Sequence, residues 1–294
     1  MEILKKDIDL YYRVWDQVQE KRAYLQIFHG MKEHIKRYDD FARFLNKYGI
    51  VVYGMDMRGH GTTGKTNGLG YFAKKDGWQK ILEDQKDLYK AVKLEDSDLP
   101  FFLLGHSMGS FLARDYINKN PDDFHAAIIM ATGKADDPLY KLARFLLKVL
   151  DPSKEAKFID SMAFSSYNKF IKKPRTQFDW LSKDENQVDK YIDDPLCGFM
   201  VKNSFYRDFM DGMKSIASQE KKPCFERKVL FLAGLEDPVA RMGKYVNEVA
   251  KKYPNKNLIL YPDMRHEILN ELDKNRVYED ILSWINDNLL GNKS

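Results

Sequence analysis

Six short apolar runs constrain this chain more than any other feature. They are AYLQIF (23–28), IVVYGM (50–55), FFLLG (101–105), AAIIMA (126–131), VLFLAG (229–234) and NLILYP (257–262). None alternates strictly between apolar and polar residues, as a strand with one wet face would. Continuous apolar character is what strands buried on both faces of a parallel sheet require. Helical periodicity fills the intervals: YDDFARFLNKYG, closed by Gly49, then GWQKILEDQKDLYKAVK, MGSFLARDYINKN before Pro121, VARMGKYVNEVAKKY before Pro254, and NRVYEDILSWINDNLL before Gly291. Strands alternating with helices imply right-handed crossovers, so the fold class expected is α/β with a doubly wound, mostly parallel sheet. The opening EILKKDIDLYYRVWD has an alternating character that adds an antiparallel hairpin.

The rhythm breaks between Lys134 and Pro223, a helical stretch rich in Phe, Tyr, Lys and Asp without a clear buried strand. A long insertion after the sixth strand reads as a helical cap over the carboxyl edge of the sheet, where open α/β sheets place their sites. The expected division is a core in two parts, 1–133 and 224–294, with the cap at 134–223. The net charge of +4 comes from 48 basic and 44 acidic residues, a near-balance that argues against nucleic acid as a partner. Two cysteines, Cys197 and Cys224, form no C-x-x-C pair and fit a reducing compartment. No apolar run has the form of a signal peptide or the length of a membrane span, so a soluble cytoplasmic protein is expected; the oligomeric state is left open.

The segment FFLLGHSMGSFLARDY carries Gly105-His106-Ser107-Met108-Gly109 between a strand and a helix. A G-x-S-x-G there forms a tight turn that lifts the serine hydroxyl above the sheet, with the glycines making room for neighbouring backbone. The amide of Met108, at the start of the new helix, can stabilise an oxyanion. A serine hydroxyl is too weakly acidic to attack unaided, so it needs a histidine base and a carboxylate. Of six histidines only His266 lies past the late strands, in YPDMRHEIL. The acid should follow the preceding strand, where VLFLAGLEDPV offers Asp237, favoured for its place in G-x-x-D, and Glu236. A second oxyanion donor should follow an early strand: Gly30 lets backbone approach the substrate, and the Met31 amide is the expected donor. His29 and His34 have no acidic or cysteine neighbour at a metal-binding spacing, and HEILN lacks the second histidine of H-E-x-x-H, so no metal is expected.

A competing motif lies in GHGTTGKT (59–66), which fits the phosphate-loop pattern G-x-x-x-x-G-K-[ST]. A phosphate loop needs a helix beginning at its Lys-Thr, and NGLGYF with Gly68 and Gly70 follows instead. Asp263 is a poor stand-in for the magnesium-binding acid. The expectation is a loop beside the catalytic edge, close to the cap.

Taken in order, these segments resemble the α/β-hydrolase superfamily, and within it the monoacylglycerol lipase and lysophospholipase-like group of serine aminopeptidase S33 type. HGMKEH resembles the group's H-G-x-x-E-H loop, GHSMGS its elbow, DMRGHG its D-x-R-G-H-G loop, and AGLEDPV and RHEILNE its acid and histidine segments. FDWLSKDENQVDKYIDDPLCGF is similar to the cap of bacterial members. The likeness covers nearly the whole chain. Thr62 and Thr63 stand where the group often has a serine, at a position usually read as structural. The resemblance implies hydrolysis of a single-chain lipid ester without a cofactor. A prolyl-type aminopeptidase using the same triad is the alternative, with Glu155, Asp160, Asp184 or Glu185 holding an amino group. A catalytically silent ligand-binding protein is a third reading. PLYKLARFLLKVL (138–150) places Lys141, Arg144 and Lys148 on one helical face. It reads either as a cap helix with a solvated basic stripe or as an entry helix whose Phe145 and Leu146 make transient contact with a membrane surface.

Overall fold

A computed structural model of the chain describes residues 1–94, 98–164 and 166–290. Eight strands form one sheet: β1 (Glu2–Lys5), β2 (Asp9–Trp15), β3 (Ala23–Phe28), β4 (Ile50–Met55), β5 (Phe101–His106), β6 (Ala126–Met130), β7 (Val229–Gly234) and β8 (Lys256–Tyr261). Their spatial order is β1-β2-β4-β3-β5-β6-β7-β8. β2 runs antiparallel to both its neighbours, and every later pairing is parallel. The ten helices of the described residues are α1 (Asp39–Asn46), α2 (Gly61–Asn67), α3 (Gly77–Lys93), α4 (Met108–Lys119), α5 (Pro138–Leu147), α6 (Lys157–Phe164), α7 (Glu185–Asp193), α8 (Asn203–Gln219), α9 (Lys244–Ala250) and α10 (Lys274–Leu290).

The apolar runs are continuous because each strand feeds two cores. Tyr24 and Phe28 of β3 belong to the core that takes in residues of α3, α4 and α9, whereas Leu25 and Ile27 belong to the one that takes in residues of α1 and α10. β5 divides in the same way, Phe101 and Leu103 to the first core and Phe102 and Leu104 to the second. Side chains alternate across a strand, so a sheet covered on both sides needs apolar residues at every position.

Among the described residues, the segment between β6 and β7 carries α5 to α8 and no strand, only an isolated bridge between Glu155 and Lys202. Its last helix, α8, is tied to α4 by buried polar groups. Arg114 Nε donates to Glu220 at 2.7 Å, and both side chains are fully buried. Asp115 of α4 accepts from Trp78 Nε1 at 2.7 Å and from Ser215 Oγ at 3.0 Å.

Two expectations change. The helix expected from Val239 begins only at Lys244, because Arg241, Met242 and Gly243 hold left-handed backbone and the chain loops first. Gly291 lies outside the described residues. The GHGTTGKT stretch is not a loop: Gly61 to Asn67 form α2. Asp56 explains it, since its carboxylate accepts from the Thr62 amide at 2.7 Å and the Ile35 amide at 2.9 Å, holding the helix start from the preceding strand. The helix begins ahead of the Lys-Thr pair, and amides that would cradle a phosphate bond to the backbone, Gly64 to His60 and Gly68 to Gly64. The phosphate-loop reading fails on both counts.

His60, just before α2, is fully buried among His29, Phe72, Phe199 and Phe205. Burial, with His29 adding to it, pushes its pKa down from 6.5 to about 3. The folded protein therefore refuses a proton that the unfolded chain accepts below about pH 6.5. Stability contributed by the neutral ring is full above that pH and is lost as the pH falls towards 3, with a slope of up to ~1.4 kcal/mol per pH unit. Urea unfolding of His60→Gln across this window should show a flatter pH dependence than the parent protein.

Candidate active site

The site is built at the carboxyl ends of four parallel strands. β5 delivers Ser107 in a turn with φ of 52° and ψ of −118°, strained for a residue with a side chain. The turn is possible because α4 comes down against β3: a β-carbon at Gly109 would lie 1.9 Å from the Phe28 carbonyl oxygen. One at Gly105 would lie 2.4 Å from the Gly109 carbonyl oxygen. Met108 is the first residue of α4, and Gly30 and Met31 follow β3 and border the same cavity.

β7 and β8 supply the partners. His266 Nε2 lies 2.9 Å from Ser107 Oγ, and its Nδ1 lies 3.0 Å from Asp237 Oδ1. Asp237 is fully buried, and the same oxygen accepts from the Val239 amide at 2.8 Å. Glu236 instead pairs with Lys183 at 2.6 Å, so the acid in contact with the histidine is Asp237. With Nδ1 donating to the carboxylate, Nε2 is left to accept the serine proton.

Beneath this line lies a charged network whose members carried no assigned role in the sequence. Glu33 accepts from the Gly30 amide, from Tyr38 Oη at 2.9 Å and from Arg37 Nη1 at 2.8 Å, and faces His106 Nδ1 at 3.2 Å. Arg37 forks onto both oxygens of Glu267 at 2.5 and 2.7 Å. Burial alone would raise the Glu33 pKa, but hydrogen bonding to His106 and the Arg37 charge hold it well below the usual range. Burial likewise opposes a charge on His106, and Glu33 outweighs it, so that pKa is raised. Glu33 thus fixes Gly30 in place from below, and the His106 ring lies tilted beside that of His266, with centroids 5.0 Å apart. The quoted HGMKEH and GHSMG motifs contained both residues, but spacing alone could not show that they meet.

The inserted segment reaches the site directly. The Trp180 ring lies 5.0 Å from that of His266, and the Glu267 amide donates to the Leu181 carbonyl at 2.7 Å. Lys32, only 6% exposed, places its ammonium 2.6 Å from both oxygens of Asp160 in α6, and Tyr206 Oη donates to the same carboxylate at 2.6 Å. These groups enclose a cavity of about 490 Å³ that opens beside Ser107. Its mostly apolar lining includes Met108, Phe111, Ala143, Ile159, Met162 and Met210, with Lys32 and Asp160 forming a polar patch.

The two early histidines separate. His29 Nε2 accepts from the Met57 amide at 3.0 Å and its Nδ1 donates to the Gly30 carbonyl at 2.8 Å, so both nitrogens serve the loop. His34 corrects an expectation: acidic and cysteine partners distant in sequence do reach it. Its Nε2 lies 2.8 Å from Asp194 Oδ2, and Cys197 completes the group.

An eight-stranded, mostly parallel sheet with a serine on a strained strand–helix turn, hydrogen-bonded to a histidine from a later strand, defines a serine hydrolase of the α/β-hydrolase class. Residues 19–273 match the family model described as "Serine aminopeptidase, S33", and the chain belongs to that family. It is 26% identical to the monoacylglycerol lipase of Mycolicibacterium smegmatis over 95% of this chain and 93% of that protein. The monoglyceride lipase of Rattus norvegicus is also 26% identical, over 94% of this chain and 86% of the relative. Among solved structures, a thermostable carboxyl esterase from Bacillus coagulans in complex with glycerol superposes with a TM-score of 0.91 at 26% identity, covering 98% of this chain and 97% of that one.

Removing the Glu33 carboxylate frees the Gly30 amide and leaves Arg37 and His106 short of a counter-charge. Glu33→Ala should lower kcat for ester hydrolysis by on the order of 10²-fold, comparable to the loss of an oxyanion donor. Steady-state kinetics, with circular dichroism to verify folding, measure it.

Proposed function

We propose that the chain hydrolyses a carboxylic ester of a single-chain lipid, such as a monoacylglycerol or a lysophospholipid, through an acyl-enzyme on Ser107. The observation that carries this reading is the Ser107–His266–Asp237 line of hydrogen bonds opening into a mostly apolar cavity of about 490 Å³. The names of the relatives support the same substrate class. Ser107 Oγ attacks the ester carbonyl as its proton passes to His266 Nε2, and Asp237 steadies the imidazolium. The amides of Met31 and Met108 receive the oxyanion. His266 then protonates the departing alcohol as the carbon–oxygen bond breaks. Water, losing a proton to the same nitrogen, releases the fatty acid and restores the serine.

Residues 134–223 act in this reading as the cap. Leu139, Tyr140 and Ala143 of α5 face the cavity, which is sized for a drug-sized ligand or an acyl chain. The Lys32–Asp160 pair is neutral overall and offers a donor and an acceptor to hydroxyl groups of the alcohol. An aminopeptidase needs an unpaired acid for the substrate's amino group. Of the four acids considered, only Asp160 borders the cavity, and Lys32 neutralises it. Asp184 caps α7, and Glu155 and Glu185 are exposed. The lipid-ester reading is therefore favoured over the peptidase.

Ser107→Ala should lose at least ~10⁴-fold in hydrolysis of monoacylglycerols and short p-nitrophenyl esters, together with labelling by a fluorophosphonate probe. Retention of parental activity rejects Ser107 as the nucleophile. Faster turnover of aminoacyl amides than of lipid esters rejects the substrate class.

We also propose that α5 touches lipid surfaces. Leu142, Phe145 and Val149 are 51%, 67% and 81% exposed and lie along one side of the helix and its exit, flanked by Lys141 and Lys148. Leu146, expected to share that side, packs partly buried against the core instead. Doubly substituting Leu142→Asp and Phe145→Asp should weaken partition onto anionic vesicles by more than ~10-fold, as loss of two buried apolar side chains requires. Vesicle sedimentation reads the outcome, and an unchanged partition rejects the contact.

A further inference from the structure

A second chemical cluster sits where the Gly30–His34 loop meets the inserted segment, and the hydrolytic steps do not use it. His34 and Cys197 are 6% and 8% exposed, and the 32% exposed side chain of Asp194 pairs with His34. One imidazole nitrogen, one carboxylate oxygen and the Cys197 sulfur all lie within 4.8 Å of one another, with the nitrogen–oxygen pair at 2.8 Å. A tetrahedral zinc ion sets its donors roughly 3.5 Å apart, so the observed separations bracket what a metal needs. Small side-chain rotations close the difference.

The donor set selects the kind of metal. One nitrogen, one sulfur and one oxygen suit a borderline-soft divalent ion, whereas magnesium and calcium require oxygen throughout. A carboxylate and a thiolate neutralise the two positive charges, which makes burial of the ion tolerable. Outer contacts are already in place. The second Asp194 oxygen accepts from the Leu196 amide at 2.8 Å, and the Cys197 amide donates to the Asp194 carbonyl at 2.9 Å. The turn that carries two of the three donors is therefore rigid. It is fastened to the loop that carries the third: the Gly198 amide and Tyr191 Oη both donate to the Lys32 carbonyl at 3.0 Å. Arg37 faces the thiol, and its charge is already taken by Glu33 and Glu267.

We infer that His34, Asp194 and Cys197 form a three-residue binding site for a zinc-like divalent cation, with the fourth position left to solvent. Bound metal would clip the turn of the inserted segment to the loop that carries Gly30 and Met31. Ligation by a thiolate displaces the thiol proton, so binding releases a proton and weakens as the pH falls.

The test is titration with cobalt(II), whose thiolate complexes absorb strongly. Cys224 is an exposed thiol, so the experiment uses the Cys224→Ser protein. A thiolate-to-cobalt charge-transfer band should saturate near one equivalent and be displaced by zinc, and zinc should raise Tm. The band should vanish in Cys197→Ser. His34→Gln should bind cobalt at least ~10-fold more weakly, with Asp194→Asn as the substitute if that variant does not fold. Absence of the band in the parent, its persistence in Cys197→Ser, or unchanged affinity in the His34 or Asp194 variant overturns the assignment.

Discussion

Helix α4 crosses strand β3 so closely that no side chain fits at position 109, where the Phe28 carbonyl occupies the space. The rest of the site depends on this approach. It sets the height at which Ser107 leaves β5 and brings the helix start beside the loop that follows β3. It also leaves room for Gly30 against Ser107, where an added β-carbon would sit 3.3 Å from the serine's own. A bulkier residue at the crossing would separate helix from strand and disperse groups that come from four different strands. The strain in the Ser107 backbone is sustained because the flanking strand and helix are packed on both sides.

Below the serine, charge does the positioning. Arg37 stands between Glu33 and Glu267, and His106 faces the first of these carboxylates. Each carboxylate belongs to a different part of the site: Glu33 holds the Gly30 loop, and Glu267 follows His266. One guanidinium thus ties the Gly30 loop to the segment that carries His266. Buried ion pairs are weak sources of stability, because desolvation offsets much of their attraction. Their value here is geometric, since Arg37 grips both oxygens of Glu267 and one of Glu33 from a single guanidinium.

The sheet was largely legible in the sequence, because strands covered on both faces must be apolar throughout, and β3, β4 and β7 begin and end where their apolar runs do. The helices were legible where amphipathicity governs them, as in α3 and α4. They were not where a tertiary contact overrules local preference. The glycine-rich α2 forms because Asp56 holds its start, and α9 starts late because three left-handed residues precede it. At the site, chain order placed Ser107, Asp237 and His266. The Glu33–His106 contact and the Lys32–Asp160 pair span 73 and 128 residues, and no local pattern encodes a meeting at that distance.

The backbone bond from Glu267 to Leu181, with the Trp180 ring against His266, has a bearing on how such chains diversify. The segment that shapes the cavity also braces the His266 ring. Exchanging it for the equivalent stretch of another hydrolase would alter the placement of the imidazole along with the contour of the pocket. In the proposed reaction, selectivity and proton transfer are therefore inherited together, and new preferences are more readily reached by single replacements along the cavity wall than by wholesale grafting.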